Sequence, residues 1–158
     1  MRIGFGRDIH RLVNEGRPFK LGGVDIPFDL FVDAHSDGDV LLHALAEAIL
    51  GALALGDLGT HFNETDPACD NMDSKNIVKK VLEMMDELNY HIENVDISVI
   101  TEKPKLRPYI EEIRKSVSNI LNINLNCVSI KAQTNERVDA VGEIKAIDCY
   151  CAVLLEKN

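Results

Sequence analysis

The strongest pattern in the chain is helical. Val40, Leu41, Ala44, Leu45, Ala48 and Leu55 recur at helical spacing, which predicts a helix over Asp37 to Leu55. Asp37 can cap it, and Gly56 can end it. A second helix is expected from Asp73 or Ser74 to about Leu88, with Ile77, Val78, Val81, Leu82 and Met85 on one face. Pro108 sits in the first turn of a third, running to about Leu121. Between these lie extended pieces. Met1 to Ile9 reads as a first strand, and Phe19 to Phe28 as a hairpin around Gly22-Gly23. Val95 to Thr101 alternates, and Cys127 to Ala132 and Ala146 to Leu155 are strands. Gly56 to Asp73 is polar and punctuated, hence a loop.

No repeat, linker or low-complexity stretch interrupts the chain, so residues 1–158 form one domain. The element order predicts an α/β fold: a two-layer sandwich with one sheet and helices on one face. The other sheet face then needs cover, and copies of the same chain are the natural source.

Composition narrows the partners. The formal charge is −9, from 17 basic and 26 acidic residues, with no Lys/Arg run. Nucleic acid is therefore not expected, because a duplex needs a basic face. A phosphate ligand would need cations or local donors against this overall field. The longest apolar stretch, Ala44 to Leu55, contains Glu47 and falls short of a membrane span. MRIGFGRDIH is not a secretory signal, so the expectation is a cytoplasmic protein. Cys69, Cys127, Cys149 and Cys151 form no C-x-x-C pair and read as reduced thiols.

Asp8 and His10 stand two apart on a strand and project to the same side. With His43 from the long helix they make a three-ligand set that leaves one tetrahedral position open, the pattern of a catalytic zinc. Capping or turn roles for Asp8 and His10, and a satisfied core role for His43, are the plain alternatives. His35 and Ser36 precede the helix, where free N–H groups favour an anion. Asp57 follows Gly56 in the loop beyond it.

These segments together resemble one family. R-I-G-x-G-x-D-x-H, L-G-G-V-x-I-P at Leu21 to Pro27, H-S-D-G-D-V-L-L-H-A-L at His35 to Leu45 and A-L-G-D-L-G at Ala54 to Gly59 occur in order. F-x-x-T-D-P at Phe62 to Pro67, Asp73-Ser74, Asn94 to Asp96, K-P-K-L-x-P at Lys103 to Pro108 and V-S-I-K-A-Q-T-N-E at Val128 to Glu136 follow. The chain resembles the 2-C-methyl-D-erythritol 2,4-cyclodiphosphate synthase family along nearly its whole length.

That resemblance implies a homotrimer packed around the open sheet faces, with active sites between subunits. It implies conversion of 4-diphosphocytidyl-2-C-methyl-D-erythritol 2-phosphate to the cyclic diphosphate, with release of CMP, in non-mevalonate isoprenoid synthesis. Asp8, His10 and His43 match its zinc ligands, and Glu136 the ligand of a second divalent ion, Mg2+ or Mn2+. His35 and Ser36 match phosphate contacts, with His35 and Thr134 catalytic. Asp57 matches the contact to the erythritol hydroxyls, and Asp8, His10, Leu58, Gly59, Phe62, Asn63, Glu64, Thr65 and Asp66 match further substrate-binding positions. Thr101, Lys105, Leu106 and Arg107 match the cytidine pocket, and Gln133, Thr134, Asn135 and Glu136 the diphosphate segment.

Arg137 to Asp148 departs from the family. Ala140 replaces an aromatic, Glu143 an arginine, and Ile144-Lys145-Ala146 a Gly-Glu-Gly. In the family that arginine lies by a cavity on the trimer axis where isoprenoid diphosphates bind, and Glu143 would repel such a ligand. Asn63 and Glu64 replace a proline and an aspartate. Two other readings stay open: a trimeric module that binds zinc and CDP without turnover, and a zinc phosphohydrolase.

Overall fold

The structure is a computed structural model and describes residues 1–62 and 71–158. In chain order its elements begin with β1 (Arg2–Val13), β2 (Lys20–Leu21), β3 (Val24–Asp25), β4 (Phe31–Asp33), α1 (Val40–Leu53) and α2 (Leu58–His61). They continue with α3 (Ser74–Glu87), β5 (Tyr90–Ile100), α4 (Ile110–Leu121), β6 (Val128–Gln133), α5 (Asp139–Gly142) and β7 (Ala146–Lys157). Five strands form one sheet in the order β4-β1-β7-β5-β6, antiparallel except for the parallel β5–β6 pair. The expected α/β architecture is present.

The faces of the sheet follow the alternation of β1. Gly4, Gly6, Asp8, His10 and Leu12 turn toward the helices, and α1, α3 and α4 pack on that side. Ile3, Phe5 and Ile9 turn the other way and are 79%, 66% and 44% exposed, an apolar face without cover among the described residues. The two glycines let β1 lie directly on the backbone of α1. A Cβ on Gly4 would sit 1.8 Å from the Ala48 carbonyl oxygen, and one on Gly6 2.1 Å from that of Ala44.

Helix α1 is the centre of the core, with 11 of its 14 residues buried. It begins two residues later than a cap at Asp37 would set it, because the cap is Asp39. The Asp39 carboxylate accepts from Leu42 N–H at 3.0 Å and from the hairpin amides of Gly22 and Gly23 at 2.9 and 2.7 Å. One side chain thus ties the helix to the turn of β2–β3, where Gly22 and Gly23 take φ of 59° and 77°. Complete burial pushes the Asp39 carboxyl upward, and the three amides oppose that shift. At the other end Ala54, with φ 60°, takes the left-handed position and ends α1 before Gly56.

Other boundaries moved for identifiable reasons. The stretch read as a loop contains α2, capped by Asp57. Strand β5 starts at Tyr90 rather than Val95; a bulge between Ile92 and Asn94 leaves Glu93 and Asn94 both exposed, which hides the alternation there. Pro108 lies in a 3-10 turn, Arg107–Tyr109, and α4 follows it. Strand β4 and helix α5 were not expected, and both are too short to show a period. Cys127, Cys149 and Cys151 are unpaired, and burial pushes the last two thiols upward. Cys69 lies outside the described residues.

Candidate active site

Three residues of α1 escape burial: His43, Glu47 and Gly51. Their spacing of four places them on one stripe, and β1 brings Asp8 and His10 against it. Asp8 Oδ2 lies 3.3 Å from His10 Nδ1 and 3.0 Å from His43 Nδ1. The ligating atoms of the three residues all lie within 4.8 Å of one another. Two imidazole nitrogens and a carboxylate oxygen turned to one point suit a divalent metal ion, with room for a further ligand.

The second nitrogen of His43 is also engaged. Its Nε2 is 2.9 Å from Ser74 Oγ and 3.2 Å from Ser36 Oγ. Burial works to lower the basicity of His43, but the hydrogen bond and charge of Asp8 outweigh it and hold the imidazole above its ordinary range.

A cavity of about 400 Å³ opens over this cluster. His35, Ser36, Glu47, Leu58, Gly59 and Phe62 line it together with Asp8, His10 and His43. At the helix N-terminus the Asp39 carboxylate takes the Leu42 amide. His35 and Ser36 present side chains from the preceding turn, where Ser36 Oγ accepts from Gly38 N–H at 3.1 Å. Asp57 is exposed and caps α2 through Thr60 N–H and Oγ1 at 2.9 and 2.7 Å, bonds that hold its carboxyl below the usual range. Asn63, Glu64, Thr65 and Asp66 lie outside the described residues.

The remaining expected residues form a second group that does not line this cavity. Thr101 N–H donates to the Gln133 carbonyl, which joins the ends of β5 and β6. Thr101 is buried and its hydroxyl donates to the Lys103 carbonyl at 2.5 Å; Leu106 is buried in the core. Lys105, Arg107, Gln133, Thr134 and Glu136 are exposed, Asn135 is half-buried, and Thr134 Oγ1 donates to Glu136 Oε1 at 2.8 Å. Asp8 and Val99 both pair with Cys149 of β7, and Val99 pairs in turn with Ala132. At about 4.8 Å per strand, β6 therefore runs about 14 Å from β1. The two groups share one end of the sheet but not one pocket.

Sequence reasoning missed three polar side chains that brace these groups. Glu47 Oε1 accepts from Leu58 N–H at 3.0 Å, and burial raises its carboxyl. Ser74, entirely buried, touches both His43 and Asp37. Glu102 Oε1 accepts from the amides of Asn135 and Arg137 at 2.9 and 3.1 Å. It clamps a turn in which Glu136 and Arg137 take φ of 50° and 63°, uncommon for residues with a side chain. In the sequence Glu47 shows only as the i, i+4 neighbour of His43 and Ser74 only as a motif letter beside Asp73, while Glu102 shows nothing.

Residues 1–156 match the model of the YgbB family. The chain belongs to the YgbB family. One relative, the 2-C-methyl-D-erythritol 2,4-cyclodiphosphate synthase of Leptospira borgpetersenii serovar Hardjo-bovis, is 49% identical over 99% of this chain and 98% of its own. A solved 2C-methyl-D-erythritol-2,4-cyclodiphosphate synthase in a CDP-bound form aligns with a TM-score of 0.90 at 32% identity, over 98% of this chain and all of its own. The bifunctional IspDF of Campylobacter jejuni aligns with a TM-score of 0.94 at 32% identity over 99% of this chain, which spans 42% of that protein. YgbB membership makes the mixed α/β fold and its five-stranded sheet those of solved synthases. Among the described residues no helix is long and apolar enough to cross a membrane.

Proposed function

We propose that the chain converts 4-diphosphocytidyl-2-C-methyl-D-erythritol 2-phosphate to 2-C-methyl-D-erythritol 2,4-cyclodiphosphate and releases CMP. The observation that carries this reading is the convergence of Asp8, His10 and His43 at a cavity that also presents His35 and Ser36, in a chain of the YgbB family. An oxygen of the 2-phosphate attacks the β-phosphorus of the CDP group. The bond from that phosphorus to the bridging oxygen breaks, and CMP departs with the electron pair. Nucleophile and electrophile belong to one molecule, so the protein need supply only position and charge.

Asp8, His10 and His43 hold a zinc ion whose chemistry is that of a Lewis acid toward phosphoryl oxygens. Glu136 takes part in binding Mg2+ or Mn2+, for which one carboxylate plus substrate phosphates is an ordinary ligand set. Ser36 and His35 donate to phosphate oxygens, and Asp57 together with the segment through Asp66 meets the erythritol. Lys105, Leu106 and Arg107 receive the cytidine, with Thr101 shaping their loop, and Gln133 to Glu136 hold its diphosphate, Thr134 nearest the reacting centre.

The working unit is a homotrimer in the cytoplasm. Two observations support the trimer: the uncovered Ile3, Phe5 and Ile9, and the separation of the two groups within one chain. A neighbouring copy can bring its β6 end to the metal cavity. Wild type and His43→Ala, assayed for CMP and cyclic product with sedimentation of both, test the reading. The variant should keep its assembly and lose zinc and turnover. CDP binding without CMP release in wild type would favour a non-catalytic module, and free inorganic phosphate a hydrolase.

A further inference from the structure

We infer that Ser74 is a positioning residue that fixes which ring nitrogen of His43 faces the metal, leaving Ser36 free for the ligand. This rests on the assignment of Asp8, His10 and His43 as metal ligands.

The direction of each hydrogen bond follows from chemistry. Asp37 is surrounded by donors: Ser74 N–H at 3.2 Å, Asp39 N–H at 3.3 Å and the Lys20 ammonium at 3.5 Å. Its carboxylate therefore accepts from the Ser74 hydroxyl as well, in a short contact. A serine has one hydroxyl hydrogen, and Ser74 gives its own to Asp37. What remains toward His43 is a lone pair, so the 2.9 Å contact is donated by His43 Nε2–H. With hydrogen held on Nε2, Nδ1 is the nitrogen whose lone pair can meet a metal beside Asp8 and His10. A hydrogen bond on the far nitrogen is the usual device for fixing the tautomer and ring orientation of a ligating histidine.

Ser36 is the rival partner, but the geometry separates the two serines. Ser36 Oγ is farther from Nε2, at 3.2 Å, and already accepts from Gly38 N–H. Ser36 lines the cavity, whereas Ser74 is entirely buried and sees no ligand. Because Ser74 occupies Nε2–H, the Ser36 hydroxyl hydrogen can turn into the cavity. The chain Lys20–Asp37–Ser74–His43–Asp8 also ties β2, the loop before α1, α3, α1 and β1 to one metal position.

The test measures zinc affinity of metal-free protein against a chromophoric chelator, for wild type, Ser74→Ala and Ser74→Thr. Far-ultraviolet circular dichroism and denaturant unfolding without zinc check each fold. Ser74→Ala should bind zinc about 10- to 100-fold more weakly, and Ser74→Thr, which keeps the hydroxyl, should recover most of that loss. Nitrogen-15 spectra of the zinc form should show His43 protonated on Nε2 in wild type and a mixture in Ser74→Ala. Wild-type zinc affinity in a folded Ser74→Ala would overturn the inference while leaving the ligand assignment standing. A wild-type protein that takes up no zinc would bring down the ligand assignment, and this inference with it.

Discussion

Replacing Gly6 with alanine puts a methyl group where α1 already has its backbone. The new Cβ would lie 2.1 Å from the Ala44 oxygen and 2.6 Å from the Ala48 nitrogen, and side-chain carbons essentially never approach closer than 3.0 Å. Both neighbours are main chain, so no rotamer change relieves the clash. β1 must retreat from α1 by the difference, at least about 0.9 Å. Overpacking of this kind costs about 1–3 kcal/mol. The larger effect falls on the proposed metal site two residues along β1. Asp8 and His10 ride on the strand that retreats, and His43 on the helix that stays. Metal bonds tolerate only about 0.2 Å, so a shift of about 0.9 Å forces one ligand out of reach. Zinc affinity and CMP release should each fall about 100-fold, the scale expected for a displacement near 1 Å. Chelator competition, product assay and thermal unfolding of metal-free protein measure the three effects separately. Gly51→Ala is the control on the same helix. A Cβ there meets only the Phe5 oxygen at 3.7 Å, so the variant should gain about 0.5–1 kcal/mol and leave the site alone. A Gly6→Ala protein that loses stability yet binds zinc and turns over like wild type would refute the coupling.

Asp39→Ala should destabilise by about 2–6 kcal/mol in denaturant titration, because the buried amides of Gly22 and Leu42 lose their acceptor at about 1–3 kcal/mol each, and the half-buried Gly23 amide adds less. Glu102→Ala should raise KM about tenfold or more with a smaller change in kcat, by releasing the turn at Asn135 to Arg137, while Glu102→Gln keeps an acceptor and most of the affinity. The His91 imidazole should titrate above about 6.5, since hydrogen bonds to Glu93 and Asn158 raise it, and Glu93→Gln should bring it down in a proton NMR titration. Its contribution to stability is full below the unfolded value and fades as pH rises through the folded one.

Much of the frame was legible because it depends on local repetition. The helical stripe of α1, the Gly22-Gly23 turn and the strand that carries Asp8 and His10 each declare themselves within a dozen residues. The start of α1 did not. Ser36, Asp37 and Asp39 are all chemically fit to cap, and the choice is made by distant partners: the hairpin amides take Asp39, and Ser74 takes Asp37. Glu102 was silent for the same reason, since its two amides lie more than 30 residues away. The bulge at Glu93 erased the period of β5 at its start. Gly4 and Gly6 were visible as motif letters, but only the packing reveals that each is a site of backbone contact.

The burial of α1 has a kinetic consequence. Its amides, including the 3.1 Å bond from His43 N–H to the Asp39 carbonyl, sit on a segment walled in on nearly every side. Such a segment opens to solvent only when the whole domain opens, whereas exposed short elements such as α2 fray on their own. Deuterium uptake at His43 should therefore be among the slowest in the chain, and that at Gly59 to His61 among the fastest. Local opening of α2 at the cavity wall therefore leaves the core helix beneath it, and His43 upon it, in place.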